Sequence, residues 1–256
     1  MMMGRSPAAS VCSVAFEMRA DLRALQEGLA ADLQQAQRLI MAGAVVADGR
    51  PVPHPASEVA SGAELHLRAA PRYVSRGGEK LERALTSFGL SVEGEVVADV
   101  GASTGGFTDC LLQHGARRVY AVDVGRGQLA ERLRKDERVI SLERTNVRYL
   151  ERLPEDVAGV VMDVSFISLT ALIPKALGWL SPGGWLLPLL KPQFELEPRY
   201  APRGVVREPR YQVLAIARFL RWCLDHGLRL RGLVASPLLG DKGNREFFFL
   251  LRPRHD

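Results

Sequence analysis

The sequence predicts an α/β protein: a mostly parallel sheet with helices on both faces and an antiparallel last strand, preceded by a small separate module. Three observations carry this. From residue 78 onward, near-continuous apolar runs such as "EVVADVG", "RRVYAVDVG" and "AGVVMDVS" alternate with amphipathic stretches, the pattern of strands buried on both faces. A glycine turn, "DVGASTGGFT", joins the first such strand to a helix. Before residue 70 the pattern is different: two short helices, then short strands.

Residues 1–17 read as a tail. In the module, residues 18–70, "MRADLRALQEGLA" places Leu22, Leu25 and Leu29 on one helical face, with Gly28 as a stop. Asp32 caps a second helix, and Gln35 stands at capping-box spacing. That helix buries Ala36, Leu39 and Ile40 and ends at Gly43. "AVVADGRPV" carries an Asp-Gly turn between strands, and Leu65 and Leu67 alternate in a closing strand. "PRYVSRG", residues 71–77, reads as a linker.

The main domain, 78–256, opens with the amphipathic helix "EKLERALTSFGL". Helices are expected at "FTDCLLQHG", "GQLAERLRKD", "SLTALIPKALGWL" and "REPRYQVLAIARFLRWCLDHG". The strand "NREFFFLLR" follows "LRLRGLVAS" with no helix between, which makes it the antiparallel member. Glu195–Gly204 is proline-rich and without period, a candidate mobile loop over a site.

Composition narrows the classes. The chain has 256 residues, 47% hydrophobic and 25% charged, enough for one sizeable core plus a small module. Net charge is +5, which favours an anionic partner such as nucleic acid. Cys12, Cys110 and Cys223 are scattered with no C-x-x-C. That argues against disulfides and zinc and fits a reducing cytosol. No apolar run reaches the ~18 residues of a membrane span, and Met1 to Ser13 lacks the layout of a signal peptide.

The glycine loop is spaced Gly101, Gly105, Gly106, not as the G-x-G-x-x-G of dinucleotide sites. Asp99 stands just before the first glycine, where a carboxylate serves a pyrophosphate badly and a cationic ligand well. Asp123 ends the next strand, placed to accept ribose hydroxyls. The pattern reads as S-adenosylmethionine, a cationic methyl donor without phosphate. Asp163 and Lys191 end two further apolar strands at the same sheet edge. Each is a candidate for chemistry, with a structural ion pair as the competing reading. Lys80 and Glu246, taken singly, read as surface charges. Two rival functions remain open at this point: an NAD-dependent oxidoreductase and a non-catalytic ribosome-assembly factor.

Together Lys80, Asp163, Lys191 and Glu246 resemble the Lys-Asp-Lys-Glu tetrad of FtsJ-like RNA ribose 2'-O-methyltransferases. The motifs "YVSRGGEKL", "VADVGASTGGFTDCLLQHGA", "YAVDVGRGQL", "MDVSFISL", "LLKPQFE" and "GDKGNREFFFLL" resemble the TlyA (hemolysin A) family over about residues 18–252. Arg19, Asp21, Leu22, Leu25, Gly28, Gly43 and Gly62 fit the family's alpha-L module, the S-four-type RNA-binding domain. The resemblance implies a Rossmann-like S-adenosylmethionine-dependent methyltransferase sheet acting on cytidine in ribosomal RNA, with rRNA or ribosomal subunits as partners and no metal or membrane. It places Asp99, Gly101, Ser103, Gly105, Gly106 and Phe107 around the cofactor's methionine end and Asp123 at its ribose. Asn146 and Asp163 fall near the adenine, with Thr145 and Arg148 as alternatives to Asn146. Arg19, Arg23 and Arg38 become phosphate contacts, and Ser165 and Phe166 line the substrate entrance, Phe166 able to stack on a splayed base. One departure is visible. The second helix of the module usually begins with Ser-Arg, and here it has Asp32-Leu33, which removes a cation from the RNA-binding face.

A ribose hydroxyl is a weak nucleophile at neutral pH. Lys191 has two possible roles. As a neutral amine, with Lys80 as a like-charged neighbour, it takes the proton. As an ammonium it orients the hydroxyl and stabilises the developing alkoxide. Asp163 and Glu246 restrain the lysines in either case.

Overall fold

The computed structural model describes residues 17–41, 43–68, 72–240 and 242–254; residues 1–16 of the tail, with Cys12 and the residues weighed as a signal segment, lie outside them, and Glu17 opens the first strand. The chain divides into two compact units, Met1–Pro71 and Arg72–Asp256.

In the first unit, β1 (Glu17–Arg19), α1 (Ala20–Gln26), α2 (Leu33–Met41), β2 (Val45–Ala47), β3 (Arg50–Pro51), β4 (Glu58–Ala60) and β5 (Leu65–Leu67) follow in order. β1 pairs antiparallel with β4, and β2 is flanked by β3 and β5. Asp48 and Gly49 both have positive φ, 46° and 77°, so the Asp-Gly hairpin is of the primed type that matches strand twist. Asp32 Oδ1 accepts from Gln35 N at 2.7 Å, while Gln35 Oε1 accepts from Ala31 N at 2.6 Å. The reciprocal cap forms, shifted by one residue.

The buried face of α1 differs from the one its leucines suggest. Ala20, Asp21 and Ala24 are buried, while Leu22 and Leu25 are exposed. Small residues decide it: Ala24, Ala30 and Ala36 pack together and bring α1 close to α2. Asp21 tolerates burial because Arg19 grips its carboxylate with two nitrogens, at 3.1 and 2.7 Å, and Gln37 donates at 3.0 Å.

The second unit opens with α3 (Gly77–Phe88). It continues through β6 (Val96–Val100), α4 (Gly106–Gln113), β7 (Arg118–Val122), α5 (Glu131–Arg134), β8 (Val139–Leu142), β9 (Val157–Met162), α6 (Ile173–Leu177) and β10 (Leu180–Leu190). It ends with α7 (Pro192–Glu195), α8 (Pro209–Asp225), β11 (Leu228–Ala235) and β12 (Phe247–Pro253). The sheet order is β11-β12-β10-β9-β6-β7-β8. β12 runs antiparallel to both neighbours; the pairs from β10 to β8 are parallel. Residues 72–76 belong to this body: Tyr73 is buried and Val74 N donates to Asp109 Oδ2 at 2.8 Å.

Each face of the sheet has its own core. Met162, Trp179, Phe219 and Phe249 lie on one side, Leu81, Leu111, Trp185 and Phe248 on the other. Adjacent Phe248 and Phe249 enter opposite cores, as strand alternation requires. The chain builds β7 and β8 on one side of β6, then crosses to β9 on the other. That reversal opens a crevice at the carboxyl ends of β6 and β9.

Candidate cofactor and active site

The loop leaving β6 is shaped by backbone hydrogen bonds and by one carboxylate. Gly101 has φ 83° and Gly105 φ 96°. A Cβ on Gly101 would lie 2.5 Å from the Asp163 carbonyl oxygen, and one on Gly105 2.3 Å from Leu133 Cδ1; only glycine fits either place. Asp123 Oδ2 accepts from Ser103 N at 2.8 Å and Oδ1 from Gly125 N at 2.7 Å. Asp123 therefore fixes the turns after both β6 and β7.

Two cavities meet at this loop. The first, about 290 Å³, is lined by Lys80, Asp163, Lys191 and Glu246 together with Gly101, Ser103, Gly106, Phe107 and Ser165. The second, about 480 Å³, shares Gly101, Ser103, Asp163 and Ser165 and adds Asp123, Thr145, Asn146, Arg148 and Phe166. Its remaining wall is largely apolar, from Val100, Val122, Val147, Ile167 and Leu172.

The four charged residues form two ion pairs. Lys80 Nζ donates to Glu246 Oε2 at 2.6 Å, with side chains 12% and 3% exposed. Neither is the surface charge that its position alone suggests: α3 carries Lys80 to the sheet edge where β12 begins. Lys191 Nζ lies 2.7 Å from Asp163 Oδ1 and donates to Ser165 Oγ at 2.9 Å. Asp163 Oδ1 is buried against this ammonium, so the carboxylate and Lys191 are held together at the wall that both cavities share.

Asp99 sits elsewhere than expected. It is fully buried beneath the loop and lines neither cavity. Its Oδ2 accepts from Thr108 Oγ1 at 2.7 Å, and Oδ1 has no partner. Desolvation pushes its pKa up to about 7, against the hydrogen bond from Thr108. Asp99 is the penultimate residue of β6, flanked by Ala121 and Val161, and its side chain turns under the loop to Thr108 on α4. Gly105 likewise lines neither cavity and shapes the turn instead. Asn146 lines the second cavity with Thr145 and Arg148, and its Oδ1 is engaged by Arg148 N at 3.1 Å.

Ser165 and Phe166 follow β9 at the mouth. Phe166 is 90% exposed, has φ 65°, and rests on Phe194 with ring centroids 5.2 Å apart. In the first unit, Arg38 is exposed and Arg19 half-exposed. Arg23 is otherwise occupied: it pairs with Glu27 and donates to the carbonyl oxygens of Ala60 and Ala63. It fastens α1 to the β4 turn, which removes it as a phosphate contact.

Two supporting residues carry no local signal of their role. Glu195 accepts from Ser168 Oγ at 2.6 Å and Leu169 N at 2.9 Å, tying α7 to the loop that bears Ser165 and Phe166. Burial raises the pKa of its carboxyl. Asn244 is buried and bridges Gly204 O and Val206 N, so the proline-rich segment is fastened in short helical turns. Among the described residues no cluster of His, Cys, Asp and Glu could hold a metal ion, and no helix is long and apolar enough to cross a membrane.

The FtsJ-like methyltransferase family matches residues 73–253. The 16S/23S rRNA (cytidine-2'-O)-methyltransferase TlyA of Mycobacterium tuberculosis is 43% identical over 95% of this chain and 92% of its own length. The chain belongs to the TlyA (hemolysin A) family of S-adenosylmethionine-dependent, FtsJ-like methyltransferases. Hemolysin A of Brachyspira hyodysenteriae is 38% identical over 90% of this chain and 98% of its own. A solved structure from Streptococcus thermophilus, called a hemolysin, superimposes with TM-score 0.73 at 42% identity, over 94% of this chain and 90% of that one.

The family cofactor fits what the site offers. The cradle at Gly101 admits no Cβ, the Asp163 carboxylate stands in the wall that both cavities share, and one charged cavity adjoins one apolar cleft. A sulfonium bearing an amino acid on one side and a nucleoside on the other has this division.

Proposed function

We propose that this protein transfers a methyl group from S-adenosylmethionine to the 2'-hydroxyl of a cytidine in ribosomal RNA. The observation that carries this is the set of two partly buried ion pairs, Lys80–Glu246 and Lys191–Asp163, lining one cavity beside an apolar cleft. When bound, the cofactor supplies a methyl group on a cationic sulfur. Gly101, Ser103, Gly106 and Phe107 hold its amino-acid end; Asp123, with Asn146, Thr145 or Arg148, holds the nucleoside. Asp99 supports the loop from below.

Lys191 is the residue assigned to the hydroxyl. Its ammonium, set between Asp163 and Ser165, orients a ribose oxygen and offsets the charge that develops there. To serve as base instead, it has to reach the hydroxyl as the free amine. Lys80 and Glu246 keep the opposite wall charged and fixed, and Asp163 holds Lys191 in place. Phe166 offers an exposed ring to an unstacked base, and Ser165 lines the way in. Arg19 and Arg38 are assigned to phosphate docking. A ribosomal substrate and the two buried free thiols of Cys110 and Cys223 support a cytoplasmic location.

The test has two arms. Purified protein with methyl-labelled cofactor should label ribosomal subunits, and mass mapping of rRNA should locate a 2'-O-methylcytidine absent from cells lacking the gene. Labelled base or protein with unlabelled ribose overturns the reading.

A further inference from the structure

We propose that a groove beside the catalytic cavity binds single-stranded RNA adjoining the methylated nucleotide. This rests on the proposed function above. The groove, about 490 Å³, runs between the segment after α7 and the first turn of α8; its lining includes Arg199, Tyr200, Arg203, Arg207 and Tyr211.

Charge selects the class of ligand. Residues 197–218 hold five arginines against two glutamates, three of the chain's five net positive charges. Arg199 and Arg218 share Glu197, and Arg210 pairs with Glu208. Among the described residues no ion pair is found for the exposed Arg203 and Arg207. Glu208 also lines the groove but is paired with Arg210, which leaves two guanidinium groups without carboxylate partners to suit phosphates.

Aromatic faces select single strands. Tyr200 and Tyr211 are half-buried, with ring centroids 4.9 Å apart. Arg199 and Arg210 each lie 4.8 Å from the neighbouring ring centroid, and Arg218 lies 5.9 Å from that of Tyr200. The rings are held before any ligand arrives, and alternating arginine and tyrosine is how unpaired bases and their backbone are gripped. A duplex would hide its base faces.

The groove is coupled to the catalytic cavity. Buried Asn244 bonds Gly204 O at 2.9 Å and Val206 N at 2.8 Å, and its own carbonyl accepts from Gly240 N at 2.9 Å. Gly240 and Glu246 line the charged cavity, so Asn244 ties the backbone that carries the groove to the segment that forms the catalytic wall.

The test is the double variant Arg203→Asn with Arg207→Gln in the full chain. Asparagine tolerates the left-handed backbone of Arg203, φ 55°. Binding to ribosomal subunits is measured against salt, apart from methyl transfer, so a wild type that binds but does not methylate breaks the proposed function rather than this one. The variant should raise KM for subunits at least ~10-fold and flatten the log–log salt slope by about 1.4, the share of two single-strand phosphates. Saturating kcat should stay within about twofold, since neither residue touches the reacting atoms. Lysine at both positions should restore most of the affinity. Unchanged KM overturns the proposal. So does raised KM with an unchanged salt slope, which would place a ribosomal protein in the groove. An equal loss from Arg229→Gln with Arg231→Gln, exposed on edge strand β11, overturns it as well, because the effect would then be overall charge.

Discussion

The two cavities that meet at Gly101 and Asp163 are built from different materials. The apolar cleft is made of turns: backbone following β6, β7 and β8, pinned by the two bonds to Asp123. The charged cavity shares the loop after β6 but adds four charged side chains from α3, the ends of β9 and β10, and the start of β12, spread over 166 residues between Lys80 and Glu246. A cofactor can be held by local geometry, because its shape is fixed and backbone amides can be aimed at it. Displacement at a ribose hydroxyl needs charges placed around one point, and the sheet supplies that by gathering strand ends. The comparison predicts a separation: changes in the turns alter binding, and changes in the four charged side chains alter rate.

One substitution should breach the separation, and it should have the largest effect. Gly101 belongs to both cavities. Valine there must adopt φ 83° and bring a Cβ within 2.5 Å of the Asp163 carbonyl oxygen. The clash moves Asp163 away from Lys191 and narrows the cleft together. Gly101→Val should abolish calorimetric cofactor binding and methyl transfer alike. Retention of either would mean the cavities are less joined than their shared walls indicate.

Lys191 is the sharp test of the rate side. Lys191→Ala should lower kcat by at least ~100-fold, the size of a lost acid–base group, and leave cofactor affinity within a few-fold. Lys191→Arg separates its two roles, because arginine orients a hydroxyl but does not give up its proton. Substantial activity in the arginine variant favours orientation. Loss equal to that of alanine favours proton removal.

The same contrast governs what could be read from the sequence. The cleft was legible because strand, glycine turn and closing acid lie within 25 residues of one another, and local chemistry dictates each. Lys80 and Glu246 are bland charges singly; they became legible only as a set, through family resemblance, because nothing local tells a helix-borne lysine that it will meet the start of the last strand. Asp99 stands at the end of β6 but is buried under the loop against Thr108, because the side a strand-end side chain turns to is set by the helix packed on it and not by composition. The alanines of α1 outweighed its leucines for a related reason. Hydrophobic periodicity ranks residues by apolarity, whereas close helix approach ranks them by size, and Arg23 was then drawn into the module by carbonyls that no pattern reveals.

Glu246→Gln asks whether the charged wall is a stability element as well. The side chain is 3% exposed and holds Lys80 at 2.6 Å. Glutamine keeps the shape and removes the charge, leaving a largely buried ammonium uncompensated. Breaking such a pair costs about 3–5 kcal/mol, equivalent to a Tm lower by roughly 10 °C for a domain of this size. Cofactor affinity at a temperature where the variant is folded should change little. Thermal unfolding with and without cofactor measures both, and an unmoved Tm would show that solvent screens the pair.

The smallest effect lies beneath both cavities. Asp99 is fully buried with Oδ1 unpartnered, and its pKa is pushed up to about 7 by desolvation. In the unfolded chain an aspartate releases its proton near pH 4. Between about pH 4 and about pH 7 the folded state keeps a proton that the unfolded state has lost. Stability from this group therefore falls as pH rises through that window and levels off above it. Asparagine has nothing to release there and can still accept from Thr108. Wild type should lose more Tm than Asp99→Asn between pH 5 and pH 8, with the two curves running parallel above pH 8. Thermal unfolding of the cofactor-free proteins across that range is the measurement. Parallel curves throughout would show that Asp99 is ionised at pH 5, and that its free oxygen has a compensating cation or water nearby. In that case the acid acts directly on the loop above it, and the boundary between holding and transfer runs through Asp99 rather than over it.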